Sequence, residues 1–164
     1  MTAWQRNAVT LGIFTGVSIL FSWPLVTGLG SLHVSRQFDM YSLLWMVGAV
    51  STPEASWVYP GTAWPVGEAL NRLDSFVLAS SAWSVGRWVD AWWFPTIWAL
   101  LGPVVSAWAA ERVAANSFGA RWPWSLIAGI GYGFTGLAAT ALLEGHVYAL
   151  FNPWLPLLLA SWMR

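Results

Sequence analysis

The chain has no cysteine. That excludes disulfides, thiolate-held metals and thiol nucleophiles, and leaves the redox compartment open. Lysine is absent as well: all seven cations are arginine, a bias that suits a GC-rich bacterial gene. With only seven acids, charged residues make up 9% of the chain, against about a quarter in soluble domains. The formal net charge is zero and no basic patch occurs, so no nucleic-acid partner is expected. There is no phosphate-binding glycine loop, dinucleotide fingerprint or His-Glu-x-x-His pair, and the acids are too dispersed for an all-protein metal cage.

What is present is apolar. The 164 residues are 57% hydrophobic with mean hydropathy +0.57, the composition of an integral membrane protein. Fifteen tryptophans gather at the edges of apolar runs, among them Trp23, Trp45, Trp57, Trp92, Trp93, Trp122, Trp124 and Trp162. Rings of this kind sit at the headgroup level or pack between helices.

Read in order, the chain predicts an all-α membrane domain over residues 1–164, with about four spans. A short polar lead carrying Arg6 precedes an uncharged run over 8–29, long enough to cross a hydrocarbon core of about 20 residues. The run exceeds the h-region of a signal peptide, about 7–15 residues, so it reads as an uncleaved anchor, kinked or ended early by Pro24. Residues 31–90 hold most of the charges and read as a long external loop with two interfacial helices, over 41–50 and 68–88. Further spans are expected over 91–110, 122–143 and 147–163, with 111–121 as a tight connection. Gly129, Gly131, Gly133 and Gly136 make the third one suited to close helix packing. Pro153 and Pro156 make the fourth short and tilted or re-entrant.

Four spans put both termini on one side. That side carries Arg6, Arg112, Arg121 and Arg164 against three arginines opposite, which orients the termini to the cytoplasm of a cell inner membrane.

Two regions carry candidate chemistry. Glu144 and His146 lie between the last two apolar segments. They read as an interfacial anchor pair, as a proton-handling or substrate-contacting pair, or, for His146, as an axial ligand to a porphyrin or chlorin. Otherwise no cofactor is expected. The other histidine, His33, also falls near the external surface, so bis-histidine ligation is geometrically open. Asp39 heads the 41–50 segment as a helix N-cap or as an external carboxylate with a chemical role. Asp74, in the polar cluster Asn71-Arg72-Leu73-Asp74-Ser75, is either a second site candidate or an ion-pair partner of Arg72 or Arg87.

Several short motifs add a family likeness: Ser22-Trp23-Pro24-Leu25, Asp39 ahead of Tyr41 and Trp45, Pro60-Gly61, the small-residue helix over 132–137, Gly145-His146, and Trp154-Leu155-Pro156-Leu157. In this order they resemble the N-terminal part of the membrane-embedded C-type glycosyltransferases, especially large bacterial relatives of the polyprenyl-phosphate-sugar mannosyltransferases. The likeness covers nearly the whole chain through short, degenerate motifs. It implies that Asp39 serves as catalytic base, or positions an acceptor and metal, in sugar transfer from a lipid-phosphate donor. A carboxylate suits that work because it can take a hydroxyl proton in a water-depleted site.

Enzymes of that superfamily have more spans and a large external domain. The chain therefore reads as a reduced, non-catalytic relative acting as a subunit of a larger membrane assembly. The alternative is a fragment or active portion that moves a sugar from a polyprenyl-phosphate carrier on the external face. The expected surroundings are the bilayer, other membrane subunits and a lipid-linked sugar.

Overall fold

A computed structural model describes residues 2–23, 58–59, 68–69, 93–144 and 150–163. Helix α1 spans Ala3–Phe21, α2 spans Trp93–Ser117, α3 spans Trp124–Gly133, α4 spans Gly136–Glu144 and α5 spans Trp154–Trp162. Two two-residue strands, β1 (Val58–Tyr59) and β2 (Glu68–Ala69), pair antiparallel with Val58 opposite Ala69. Glu68 thus stands in a strand and does not open the helix predicted over 68–88. The predicted interfacial helix over 41–50 lies outside the described residues.

The N-terminal boundary differs from the one hydropathy suggests. The polar lead is the first turn of α1, because Thr2 caps it: the Gln5 amide donates to Thr2 Oγ1 at 3.2 Å and the Thr2 amide donates to Gln5 Oε1 at 2.8 Å. This reciprocal box satisfies two amides that an uncapped helix leaves open. Thr2→Ala should cost about 1 kcal/mol of helix stability, read as faster amide exchange at Gln5 with the helix interior unchanged.

Helix α2 also overruns its predicted end. Residues 111–117 continue it for almost two turns beyond Ala110, since Glu111 and Arg112 are paired and hydrogen-bonded inside the bundle. The connection shrinks to residues 118–123, where Gly119 turns the chain at φ 66° and the Ala120 amide donates to the Ala114 carbonyl at 3.0 Å. Pro103 lies inside α2 and removes one amide donor from its ladder.

Packing is antiparallel between α1 and α2 and between α2 and α3. Asn7 meets Arg112 and Ser18 meets Leu100; Ser125 meets Glu111, and Gly133 lies against Pro103 and Ala107. The core where they cross is Phe14, Val104, Ala107 and Leu126, with Ile13, Ile130 and Phe134 against it. Ser106 ties the segment ahead of α5 to α2: its hydroxyl donates to the Leu150 carbonyl at 2.9 Å and accepts from the Asn152 amide at 2.8 Å. From there α5 runs alongside α2 toward Phe118, which brings Thr2, the 118–123 turn and Met163 to one end of the bundle.

Large apolar side chains lie on the outside of the bundle as well as in its core. On α1 the buried residues are Thr10, Phe14 and Ser18, while Leu11, Ile19 and Leu20 are exposed; on α5, Leu155, Leu157, Leu158 and Leu159 are all exposed. Helices are apolar all round where the surroundings are apolar too. The stretch Trp124–Leu143 is long and apolar enough to cross a membrane, and 17% of it is buried. It is the one such stretch among the described residues.

Candidate functional site

The predicted span over 122–143 is interrupted. Helix α3 ends at Gly133 and α4 starts at Gly136, with Thr135 capping the new helix: the Ala138 amide donates to Thr135 Oγ1 at 3.2 Å and the Ala139 amide to the Thr135 carbonyl at 3.0 Å. Backbone that leaves the helix at membrane depth is tolerated only where protein buries it or where it lines a cavity. Here it lines one. A cavity of about 260 Å³ opens at the break, bordered by Thr135, Ser106, Asn152 and Tyr132 and by the apolar Leu137 and Leu150.

A second cavity of about 320 Å³ adjoins the first, and Tyr132 and Leu155 line both. Its other walls, including Ala110, Val113, Phe118, Ala128 and Leu159, are apolar. Tyr132 is fixed between the two because its hydroxyl donates to the Asn152 carbonyl at 2.9 Å. Beside Asn152 in the chain, Phe151 lies 5.0 Å from Trp98 and 6.1 Å from Trp154 between ring centroids. Phe21 of α1 meets Phe134 edge-on at 5.6 Å on the other side of the break. The result is an amphipathic slot: a hydroxyl- and amide-bearing end at the break, and an apolar end running toward Phe118.

A separate polar cluster lies near the end of the bundle that holds Thr2. Glu111 is fully buried; it accepts from Ser125 Oγ at 3.0 Å and from Arg112 Nε. Arg112 Nη1 donates to Asn7 Oδ1 at 3.0 Å, so one network joins α1, α2 and α3.

Most of the residues singled out by sequence are not among those described. Asp39, Asp74, His33 and His146 lie outside the described residues, and Glu144 closes α4 with its side chain undescribed. Among the described residues, no group of three or more His, Cys, Asp or Glu could hold a metal. The break and its cavity were not read from sequence, because Gly133, Phe134, Thr135 and Gly136 carry no charge and leave the apolar run unbroken. The signal available was Thr135-Gly136, a capping residue and a helix breaker inside a long run.

No family model matches the chain, and neither a curated protein nor a solved structure is significantly similar to it.

Proposed function

We propose that the chain is a multi-spanning membrane protein of the C-type glycosyltransferase kind, and that the slot between α2, α3 and α5 holds the lipid part of a lipid-linked sugar. The observation that carries this reading is the pairing of an apolar cavity of about 320 Å³ with one of about 260 Å³ bearing Ser106, Thr135 and Asn152. An amphiphile needs both: apolar walls for its chain, and a few placed hydrogen-bonding groups where its polar part begins. In this reading the apolar end lies toward the cytoplasmic leaflet, with Thr2 and Met163, and the polar end faces the external side. That is the side assigned to Asp39, Asp74, Glu144 and His146, where Asp39 acts on the acceptor.

The test is photolabelling in membranes with a diazirine-tagged polyprenyl phosphate. Label should fall on peptides lining the slot, around Leu155–Leu159 and Ala128, and should be competed by unlabelled carrier. Ala128→Trp, which puts an indole in the apolar cavity, should reduce labelling severalfold without loss of protein. Label spread evenly over the exposed α5 face, unaffected by that substitution, would remove the slot from the reading. Loss of sugar transfer in Asp39→Asn would place chemistry in this chain.

A second reading keeps the membrane location and drops the ligand: a packing subunit of a larger assembly. It is favoured by the large side chains left uncovered on α3 and α5, including Trp124, Ile127, Trp154, Leu158 and Trp162. Stable co-purification with larger membrane proteins, without label in the slot, would favour it.

A further inference from the structure

The two cavities that make up the slot share two wall residues, Tyr132 of α3 and Leu155 of α5. A molecule that occupies both must pass these side chains. Tyr132 is held in place: its hydroxyl donates to the Asn152 carbonyl at 2.9 Å, and the Asn152 amide donates to Ser106 Oγ of α2 at 2.8 Å. The ring is thereby tied, through Asn152, to the helix that forms one wall of both cavities. Leu155 lies in the first turn of α5 and is 60% exposed. One side of the junction is tethered, and the other is a leucine at the surface.

The apolar cavity is long for its volume. Its α2 wall runs from Ala110 through Val113 and Ala114 to Phe118, a length of about 12 Å at 1.5 Å per residue. A volume of about 320 Å³ equals that of roughly ten water molecules at ~30 Å³ each, and a methylene group is close to water in size. Ten such units along that wall form a single file, because consecutive carbons of an extended chain advance by slightly less than the ~1.5 Å of a C–C bond. A second chain beside the first needs twice the volume over the same length. The two chains of a glycerolipid leave one headgroup together, so they must crowd the Tyr132–Leu155 junction or leave one chain outside the slot. Crowding forces side chains and backbone to shift, and the chain left outside forfeits its burial against the slot walls.

We infer that Tyr132 and Leu155 admit one hydrocarbon chain and exclude two, so that the slot selects single-chain lipid phosphates over the two-chain lipids of the surrounding bilayer. The inference rests on the reading of the slot as a lipid site and adds its selectivity and the two residues that set it. Discrimination of this kind comes from a clash built against the wrong ligand as much as from contacts to the right one.

The experiment is competition for the diazirine-tagged polyprenyl phosphate on the purified chain in neutral detergent. Two competitors carry the same phosphate: hexadecyl phosphate, with one chain, and dipalmitoyl phosphatidic acid, with two chains of that length. Hexadecyl phosphate should halve the label on the Leu155–Leu159 peptide at a concentration about tenfold lower than phosphatidic acid does. Tyr132→Ala and, separately, Leu155→Ala widen the junction and should bring the two competitors to within about threefold of each other. Tyr132→Phe keeps the ring and loses its tether, and should fall between these and the parent chain. Leu155 is mostly exposed, so Leu155→Ala carries the test if Tyr132→Ala fails to fold. Equal competition by the two phosphates in the parent chain overturns the inference and leaves the slot standing, as does an undiminished preference in the widened variants. Absence of label from the slot peptides removes the slot reading itself, and the inference with it.

Discussion

Gly129→Val and Gly133→Val are expected to abolish the folded protein, whereas Gly131→Val, two residues from each, is tolerated. A Cβ on Gly129 would stand 2.6 Å from the Phe14 ring and 2.7 Å from the Ala107 carbonyl oxygen. On Gly133 it would stand 2.6 Å from both the Ala107 Cβ and the Pro103 carbonyl oxygen. Neither position offers only a flexible side chain that can swing away; each sets the new atom against α2 backbone. Gly131 points outward with nothing near its Cβ. Overpacking against yielding neighbours costs about 1–3 kcal/mol, and separating two helix backbones exceeds that because every contact along the seam is lost with it. Valine also branches at Cβ, but its helix propensity is no worse at 129 than at 131, so the contrast isolates packing. Detergent-extracted yield and melting midpoint read the result. Equal behaviour of all three variants would show that α2 and α3 do not pack as described.

This seam shows what hydropathy could and could not convey. The apolar runs placed helices where α1, α2 and α3 are found, and the small residues marked α3 as the one able to approach a neighbour closely. The run did not reveal which glycines face α2: Gly129 and Gly133 do, four residues apart, while Gly131 does not. Boundaries failed where polar residues have partners across helices. Glu111 and Arg112 look like the end of a span when each charge is weighed alone; joined to Ser125 and Asn7 they allow the helix to continue. Asn7, weighed alone, likewise looked like part of a polar lead, and its bond from Arg112 places it in the bundle. Conversely, the break at Thr135 is silent in hydropathy because its hydrogen bonds are local and uncharged. The slot was illegible for a further reason: Ser106, Tyr132, Thr135 and Asn152 are neither clustered in sequence nor ionised at neutral pH, and only the folding of α2 onto α3 and the Leu150–Asn152 segment assembles them. In contrast, the four-residue spacing on α1 carried a usable pattern. Thr10, Phe14 and Ser18 recur every four residues and all three are buried, whereas Thr15, off that stripe, is exposed.

Glu111→Ala is the second substitution with a large expected effect, and its companions decide why. Removing the carboxylate leaves Arg112 Nε without its acceptor and Ser125 Oγ without its own, inside a bundle where Glu111 itself has no exposure. Breaking one half of a buried ion pair costs about 3–5 kcal/mol, most of it the charge left behind. Glu111→Gln keeps the size and an acceptor oxygen for Ser125 and should lose less, about 1–3 kcal/mol, the range for removing a hydrogen-bond partner. The double substitution Glu111→Met with Arg112→Met removes both charges together at similar volume, and should recover much of what Glu111→Ala loses, because no ion remains to be hydrated. Ser125→Ala, which removes a neutral donor only, should cost about 1 kcal/mol. The measurement is a denaturation series in one detergent, with the double substitution compared against Glu111→Met and Arg112→Met alone. If the double substitution were as damaging as Glu111→Ala, the cost would lie in packing and not in the stranded charge. The network across α1, α2 and α3 would then be a consequence of the fold and not one of its supports.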